Sequence, residues 1–405
     1  MLSGMAHHAT SPTHYDIIII GGGPVGLGFA TALKDSGLRL CVLEKQAEKA
    51  LANPIFDGRD IALTHSAIKI LDGLGILRHL GSKALAPIRQ ARVLNGVSSY
   101  ALDFDSHDDG KEALGYLVSN HLIRKAVYDV ARKQKNLDLR TGVEVTGLQT
   151  GEAENSVHLS NGQTVTGTLV IAADSRFSAT RRMMGIPVAM RDFGRTVIVC
   201  RMIHQIPHEQ IAHECFHYGR TLAVLPLNGN VCSVVITLPS DHVAELLALP
   251  AKEFSAEIAE RFENRLGARE LVGERHSYPL VATYADRFVG HRFALLGDAA
   301  VGMHPVTAHG YNFGLYGAQT LAREIRKALS LGMDIGDTTL LDTYNHAHRK
   351  ITLPLYHGTN TIVSLFTDER PAARQVRSAL LHIGNMAKPI KQLITRQLTQ
   401  TALAG

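Results

Sequence analysis

The first apolar run of the chain is short and shows no polar alternation. Tyr15 to Ile20 is rich in β-branched residues, which is typical of a parallel strand covered on both faces. Beyond a glycine-rich loop, the spacing of apolar residues predicts a helix up to Ser36, and Gly37 stands where helices usually stop. A second strand is predicted over Leu38 to Leu43. The pattern therefore predicts a unit of strand, loop, helix and strand at the start of the chain.

The loop between the first strand and the helix has the spacing Gly-x-Gly-x-x-Gly, which in this setting binds the pyrophosphate of a dinucleotide. Gly21 makes the tight turn, Gly23 lets the backbone approach the phosphates, and Gly26 allows close helix packing. Glu44 follows the second strand at about the 20-residue spacing at which a carboxylate binds ribose hydroxyls, which favours FAD or NAD over NADP. The alternative is an ordinary glycine-rich turn. The candidate binding residues are Gly21, Gly23, Pro24, Val25, Gly26, Glu44 and Lys45.

A second stretch of this kind lies late in the chain. His291 to Ala300 predicts a buried strand that runs into a turn of small residues, with Asp298 at its carboxyl end, where ligands bind in α/β sheets. A long helix is predicted after it, through Leu321 to Leu329. Between the two stretches, Leu222 to Leu227 and Val231 to Leu238 predict a β-hairpin. The chain is therefore predicted to be an α/β protein.

Composition narrows the range of functions. At 405 residues the chain exceeds the usual ceiling for one hydrophobic core, so two domains or one large interrupted domain are expected. The net charge of +5 comes without a stripe of Lys or Arg interleaved with aromatics, which argues against nucleic-acid binding. The four cysteines are scattered, as expected for the reducing cytoplasm. Because no apolar run approaches the roughly 20 residues that span a bilayer, any membrane contact is expected to be peripheral.

Three motifs carry a resemblance to a known family. They are the glycine loop with Glu44, the segment Ala173 to Arg181, and Gly297-Asp298 with the His304-Pro305 sequence after it. With these motifs the chain resembles the single-component flavoprotein aromatic hydroxylases, and within them the ubiquinone-biosynthesis hydroxylases. The similarity spans nearly the whole chain, including Asp57 to Leu63. The sequence from Met303 to Gly310 looks most like a bacterial branch that hydroxylates demethoxyubiquinol.

The resemblance implies an α/β fold with an FAD-binding, Rossmann-like (GR2-type) domain, an interposed β-sheet substrate domain and a C-terminal helical segment. The FAD-binding domain would comprise residues 15–184 and 278–345, with residues 82–107 contributing to the substrate side. Residues 185–277 would form the substrate domain, and residues 346–405 the helical segment.

The resemblance also implies which residues bind FAD. Asp298 would bind the ribityl chain, Arg59 would lie near the phosphates or the flavin ring, and Asp174 would support both FAD and the approach of the nicotinamide donor. The stretch from Pro305 to Asn312 would wrap the isoalloxazine, with a helix amino terminus that stabilises negative charge on the reduced flavin. Further cofactor-binding candidates are Gly297, Pro305, Ala308, Gly310, Tyr311 and Asn312.

The chain departs from the family pattern at several positions. Ser175 and Val301 replace a glycine and a histidine of the family, and neither change removes an expected FAD contact. His309 stands in place of a glutamine, which puts an imidazole beside the predicted flavin. His121 replaces a cofactor-binding arginine, and Arg124, almost one turn later, is the expected substitute.

The expected activity follows from the resemblance. NAD(P)H would bind transiently and reduce FAD, since the chain has no second Gly-x-Gly-x-x-Gly sequence. O2 would then form a flavin C4a-hydroperoxide that hydroxylates an electron-rich ring, such as that of a polyprenyl phenol or quinol. The candidates beside the ring are His304, Pro305 and His309, although such histidines are as often structural. The open alternatives are a hydroxylase of a small soluble aromatic compound, an isoprenoid reductase and a nonenzymatic flavin-binding protein.

Two further features have competing interpretations. The sequence from His213 to His217 spells a zinc signature that requires a helix, but its surroundings predict a strand, on which Glu214 would point away from both histidines, so no metal site is expected. After Glu369 the chain has no acidic residue, and its basic and apolar residues predict an amphipathic helix. That helix is either a packing helix with a solvated face or a contact to the inner face of the cytoplasmic membrane or to a biosynthetic complex.

Overall fold

The computed structural model describes residues 13–95, 101–217, 220–304, 309–367, 370 and 375–377. The helices are α1 (Pro24–Ala32), α2 (Glu48–Ala52), α3 (His65–Gly73), α4 (Leu77–Leu80), α5 (Asn120–Ala131), α6 (Ala179–Met183), α7 (Val243–Ala248), α8 (Ala251–Arg261), α9 (His309–Ser330) and α10 (Thr338–Thr367).

The strands alternate with these helices along the chain. They are β1 (Thr13–Ile20), β2 (Leu40–Glu44), β3 (Asp60–Leu63), β4 (Ala86–Ile88), β5 (Gln90–Asn95), β6 (Ala101–Asp105), β7 (Gly115–Ser119), β8 (Leu137–Thr141), β9 (Val145–Gln149), β10 (Asn155–Leu159), β11 (Thr164–Ala172), β12 (Val188–His204), β13 (Ile211–His217), β14 (Arg220–Pro226), β15 (Val231–Pro239), β16 (Arg269–Ala285), β17 (Val289–Gly290), β18 (Phe293–Leu295) and β19 (Val301–Gly302).

A largely parallel sheet forms the first part of the fold. Its strand order is β17-β18-β11-β1-β2-β8, and β10 pairs with both β11 and β9. β1 lies at the centre, parallel to both β11 and β2, and Ile17, Ile18 and Ile19 are fully buried. This is the covered strand that the sequence predicts. Because parallel strands end at the same edge of a sheet, the loop after β1 lies beside Glu44 at the end of β2.

The first helix and the second strand are shorter than the sequence predicts. α1 ends at Ala32, because the next residues form a turn in which the Ser36 hydroxyl donates to the Leu33 carbonyl oxygen (2.7 Å). The predicted end at Ser36 is therefore wrong. β2 begins two residues after the predicted Leu38, whose carbonyl oxygen accepts a hydrogen bond from the Asn136 side-chain amide (3.0 Å) instead.

An eight-stranded sheet, here called the cover sheet, forms the second part. Its order is β19-β16-β12-β15-β14-β13-β5-β6, with β13 and β5 parallel. β14 and β15 form the predicted hairpin, with Gly229 at a φ of +70° in the turn. Its outer face packs against α7 and α8 through residues such as Leu246, Phe254 and Phe262. Its inner face, with Val199 among its buried residues, faces the segment before β3.

A three-stranded sheet and two long helices join these two parts. β7 pairs antiparallel with β3 and β4, and residues of this small sheet share an apolar cluster with inner-face residues of the cover sheet. α9 contacts both α1 and α10. Among the described residues, no helix is both long enough and apolar enough to cross a membrane.

Candidate functional site

The glycine loop after β1 has a conformation that only glycine allows at two positions. Gly21 has a φ of +112°, and a Cβ there would lie 2.3 Å from the carbonyl oxygen of Ala173. A Cβ on Gly26 would lie 2.1 Å from the carbonyl oxygen of Gly21. Because real Cβ atoms do not approach this closely, the tight turn and the close helix packing both depend on glycine.

The start of α1 is open on the side where a phosphate would bind. Gly23 is the N-cap residue, no side chain caps the helix, and Pro24 occupies the first turn. A Cβ on Gly23 would have no atom of the described residues within 4 Å. The unpaired N–H groups and the dipole of a helix amino terminus attract anions. The loop therefore presents an open, uncapped helix end that suits a pyrophosphate.

Glu44 is fixed by backbone donors on both of its carboxylate oxygens. The N–H of Gly22 donates to Oε2 (2.7 Å) and the N–H of Gln46 donates to Oε1 (2.8 Å). Each carboxylate oxygen keeps a second lone pair, which a ribose hydroxyl can use. Arg124 lies nearby, since its Nη2 donates to Oε1 of Gln46 (3.4 Å), and Lys45 is exposed. The substitute arginine thus lies beside the predicted ribose site.

Val25 joins the glycine loop to the late motif. A Cβ on Gly314 would lie 2.6 Å from Cγ2 of Val25, and a Cβ on Gly297 would lie 3.2 Å from the same atom. Gly297 has a φ of +59° and opens a short 3₁₀ turn that contains Asp298. The first and third sequence motifs therefore meet at one side chain.

Asp298 is held by an arginine from the second motif. Arg176 donates from Nη2 to Oδ2 of Asp298 (3.0 Å), and it also donates to the carbonyl oxygens of Val281 in β16 and Met303 (3.3 Å). Sequence reasoning did not single out Arg176 as a site residue. Its long side chain links three distant segments, and no local spacing in the sequence reveals such a contact.

Asp174 uses one carboxylate oxygen inside the protein and leaves the other without a partner. Oδ2 accepts hydrogen bonds from the N–H (3.1 Å) and the hydroxyl (2.8 Å) of Thr180 at the start of α6. Oδ1 is buried and has no hydrogen-bond partner in the part of the chain that the structure describes. A buried oxygen without a partner costs free energy unless a ligand supplies a donor. Asp174 is therefore suited to a bound group.

The amino-terminal turn of α9 is anchored by Asn312. Its Oδ1 accepts from the N–H of Thr64 (3.1 Å), and its Nδ2 donates to the carbonyl oxygen of Ala62 (2.9 Å). The hydroxyl of Tyr311 is buried without a hydrogen bond to any described residue. A Cβ on Gly310 would approach only Oδ1 of Asp298, at 4.0 Å. The side chain of Asn312 thus positions the helix, while Gly310 leaves space beside Asp298.

The two candidate histidines of this segment are both buried. His304 contacts the ring of Phe193 edge to face at 5.0 Å between centroids, and burial, with the nearby charge of Arg176, lowers its pKa to about 4. His309 packs against the ring of Phe313 at 5.1 Å. His304 is therefore neutral at neutral pH. Pro305 and Ala308 lie outside the described residues.

Arg59 lies between the small sheet and the cover sheet. Its Nε donates to Oδ2 of Asp57 (3.0 Å), and its guanidinium lies 5.3 Å from the ring centroid of Tyr278 on β16. The Tyr278 hydroxyl donates to the carbonyl oxygen of Asp57 (2.7 Å). Burial opposes ionisation of Asp57, but hydrogen bonds and charge from Arg59 outweigh it and hold the pKa of this carboxyl below its usual range.

The zinc-like sequence lies on a strand, as its surroundings predict. It forms most of β13, and the ring of His213 contacts the ring of Phe262 at 5.0 Å on the outer face. Burial, followed by the charges of arginines, lowers the pKa of His213 to about 4. Across the described segments, no group of three or more His, Cys, Asp or Glu side chains is arranged to hold a metal ion.

The described residues fit an FAD molecule. The open space beside Gly23 suits a pyrophosphate, the spare lone pairs of Glu44 suit a ribose, and the buried Oδ1 of Asp174 and hydroxyl of Tyr311 are polar atoms that a bound cofactor can satisfy. The fold and the site thus define a flavoprotein of the α/β class.

Comparison with known proteins also identifies the chain as an FAD-binding protein. Residues 14–355 match the family described as FAD binding domain. The chain is 45% identical over 390 residues to ubiquinone hydroxylase UbiM of Neisseria meningitidis, covering 95% of this chain and 85% of that protein. It is 36% identical to ubiquinone hydroxylase UbiL of Rhodospirillum rubrum, covering 96% and 90%. It is 25% identical to 3-demethoxyubiquinol 3-hydroxylase of Escherichia coli, covering 96% and 98%.

A solved structure shares the fold. The p-nitrophenol 4-monooxygenase of Pseudomonas putida superposes with a TM-score of 0.78 at 20% identity, covering 97% of this chain and 100% of that one. The chain belongs to the FAD binding domain family. It is an FAD-dependent monooxygenase, which confirms the enzyme class, the cofactor and the α/β fold predicted from the sequence.

Proposed function

We propose that the chain hydroxylates the aromatic ring of a polyprenyl phenol or quinol in ubiquinone biosynthesis, using NAD(P)H and O2. The observation that carries this proposal is the patch of buried apolar residues on the inner face of the cover sheet, Val197, Val199 and Leu280, which lies beside segments that carry predicted flavin contacts. An apolar wall suits a prenylated ring better than a charged aromatic acid. The relatives named ubiquinone hydroxylase support the same pathway.

FAD, when bound, would supply the redox chemistry between NAD(P)H and O2. The chain's own residues bind, orient and enclose. The glycine loop and Glu44 hold the dinucleotide end, while Asp298, fixed by Arg176, orients the ribityl side. Buried residues of the inner face, such as Val197 and Val199, exclude water from the reacting ring.

His309 is the candidate for moving a proton beside the ring, and this role is part of the proposal. It lies in the first turn of α9, next to Gly310, whose Cβ position would lie 4.0 Å from Oδ1 of Asp298. We expect His309→Ala to retain FAD and to lose the histidine-dependent part of the pH profile of turnover. Turnover that is unchanged across pH in a variant with full FAD content would remove His309 from the mechanism.

A genetic experiment tests the proposed pathway. A strain that lacks the gene should accumulate a prenylated intermediate that is short of one ring oxygen, detected by mass spectrometry of its lipid extract. The wild-type gene should restore ubiquinone, and a Gly26→Ala gene, which cannot form the glycine loop, should not. Normal ubiquinone in the deletion strain would contradict the proposal.

Peripheral contact with the membrane is the second part of the proposal. Its support is the run of basic and apolar residues after Glu369, most of which lies outside the described residues. Anionic lipids attract such segments, and a polyprenyl substrate resides in the bilayer. The full chain should float with anionic liposomes and a chain lacking residues 389–405 should not. Equal flotation of the two would contradict this contact.

A further inference from the structure

Glu214 lies on the inner face of the cover sheet. Its neighbours along β13, His213 and Cys215, point to the outer face, where they pack beneath α8. Ala212 and Phe216, which alternate with them, belong to the apolar cluster shared with the small three-stranded sheet. Because side chains alternate along a strand, the carboxyl of Glu214 shares the face of Ala212 and Phe216.

A direct row of cross-strand neighbours leads from Glu214 toward the predicted flavin side. Glu214 pairs with Ala223, Ala223 with Val235, and Val235 with Val199. Neighbouring strands lie about 4.8 Å apart, so Val199 is roughly 15 Å from Glu214 across the sheet. Cγ2 of Val199 lies 2.8 Å from the position of a Cβ on Gly58, next to Arg59. One row of the inner face thus connects Glu214 with the Arg59 loop.

The same cluster reaches the anchor of α9. Ala62 in β3 packs against it, and the carbonyl oxygen of Ala62 accepts the hydrogen bond from Asn312. The inner face around Glu214 is therefore in contact with the segment that positions the predicted ring-binding helix.

The described residues next to Glu214 on the adjacent strands are apolar. Val93 and Ala223 flank it on the adjacent strands, and apolar residues of the small sheet and α10 belong to the same cluster as Ala212 and Phe216. The described members of this cluster include Ala62, Ala86, Ile88, Leu102, Phe104, Leu114, Leu117 and Leu365. No hydrogen bond or ion pair holds the carboxyl among the described residues. Burial alone raises its pKa to about 8.

Glu214 is nevertheless partly exposed, whereas Ala212 and Phe216 on either side are buried. A carboxyl in an apolar wall costs free energy and gives no structural contact in return. Departures from the rule that buried polar groups have hydrogen-bond partners occur mainly at functional sites. Arg201, which pairs with Asp60, and His276 lie further along the same face, but no described residue binds the partly exposed carboxyl of Glu214, which is therefore placed for a ligand rather than for the fold.

We propose that Glu214 accepts the hydrogen bond of the ring hydroxyl of the substrate and takes its proton during hydroxylation. This inference rests on the proposed function. The hydroxyl O–H bond breaks, its electron pair stays on the ring oxygen and makes the ring more nucleophilic, and a carboxyl O–H bond forms. The carboxyl returns this proton to solvent when the product leaves. The oxidant is O2 and the reductant is NAD(P)H, as in the proposed function.

The test compares a phenol with its methyl ether in the FAD-loaded, oxidised enzyme, without turnover. The ligands are 2-geranylphenol and 2-geranylanisole, and binding is measured by the change in flavin fluorescence. We expect the wild type to prefer the phenol by about tenfold, as for a hydrogen bond to an ionisable group. The preference should vanish in Glu214→Leu. It should persist in Glu270→Gln, which makes a charge change at an exposed position of β16 in the same sheet.

A second variant keeps the test decisive if Glu214→Leu fails to fold. Glu214→Gln keeps the volume and the polarity of the side chain but cannot take a proton. In the wild type, turnover should rise with pH through about 8 as the carboxyl ionises, and this rise should be absent in Glu214→Gln. A tenfold preference retained in Glu214→Leu, or the same pH rise in Glu214→Gln, would overturn the role of Glu214 alone. Failure of the wild type to bind and hydroxylate 2-geranylphenol would overturn the proposed function as well.

Discussion

The glycine loop and the inner face of the cover sheet are the two ends of the proposed site, and they are built in different ways. The loop is made of backbone: Gly21, Gly26 and the backbone donors to Glu44 fix its shape within one short segment and one strand end. The inner face is made of single side chains from many strands, such as Val199 from β12 and Glu214 from β13.

This difference explains what each end can do. A backbone loop binds a phosphate group that is the same in every dinucleotide, so its geometry tolerates little change. A wall of side chains can be altered one position at a time, and a single carboxyl in it changes the chemistry that it offers to a ligand. In the proposed function, the loop therefore binds the cofactor and the wall contacts the substrate.

The largest effect is expected at the loop itself. Gly26→Ala places a Cβ 2.1 Å from the carbonyl oxygen of Gly21, so the backbone must shift. We expect a loss of about 4 kcal/mol in the free energy of unfolding and no bound FAD. Gly28→Ala is the matched control, because its Cβ would meet only Leu315 at 3.8 Å. Denaturant unfolding and FAD absorbance measure both, and equal behaviour of the two variants would break the comparison.

A smaller effect distinguishes the contribution of the loop to protein stability from its contribution to FAD binding. Gly23 has ordinary extended dihedral angles and open space at its Cβ. Gly23→Ala should therefore leave the stability of the FAD-free protein unchanged while weakening FAD binding by about a hundredfold, since the methyl group would take the space of the pyrophosphate. Titration of the FAD-free protein with FAD measures this. Unchanged affinity would show that the phosphates bind elsewhere.

The smallest effect concerns the inner face and depends on pH. The folded state raises the pKa of Glu214 from 4.5 to about 8, so it binds more protons than the unfolded state between these values. The free energy of unfolding therefore falls as pH rises through this window. Glu214→Gln lacks this loss and should therefore be more stable than the wild type at pH 8.5, with no difference near pH 4. Thermal unfolding of both proteins at the two pH values measures it.

Elements of the fold that depend on local sequence patterns could be predicted from the sequence. The covered strand β1, the glycine loop, the hairpin of β14 and β15 and the strand assignment of β13 follow from local patterns, and the structure confirms them. The end of α1 was predicted four residues too late, because a serine hydroxyl takes up a backbone carbonyl. The individual FAD contacts stay predictions.

What the sequence did not reveal depends on contacts between distant segments. Arg176 joins Asp298 to β16, and Asn312 joins α9 to the small sheet, over separations that no local spacing reflects. In the sequence, Glu214 stood out only as part of a zinc-like motif. The strand predicted there places Glu214 on the face opposite the two histidines, and β13 is a strand. Only the pairing of the strands in the cover sheet shows which residues lie beside Glu214.

The central claim is that this chain places an oxygen atom from O2 on an electron-rich ring. The most direct measurement supplies the purified, FAD-loaded enzyme with NADH or NADPH, 2-geranylphenol and ¹⁸O2, followed by mass spectrometry of the product. We predict a hydroxylated ring that carries one ¹⁸O atom, formed in step with oxidation of the nicotinamide. Consumption of the nicotinamide with hydrogen peroxide as the sole oxygen product, or a ring oxygen that derives from water, would contradict the account.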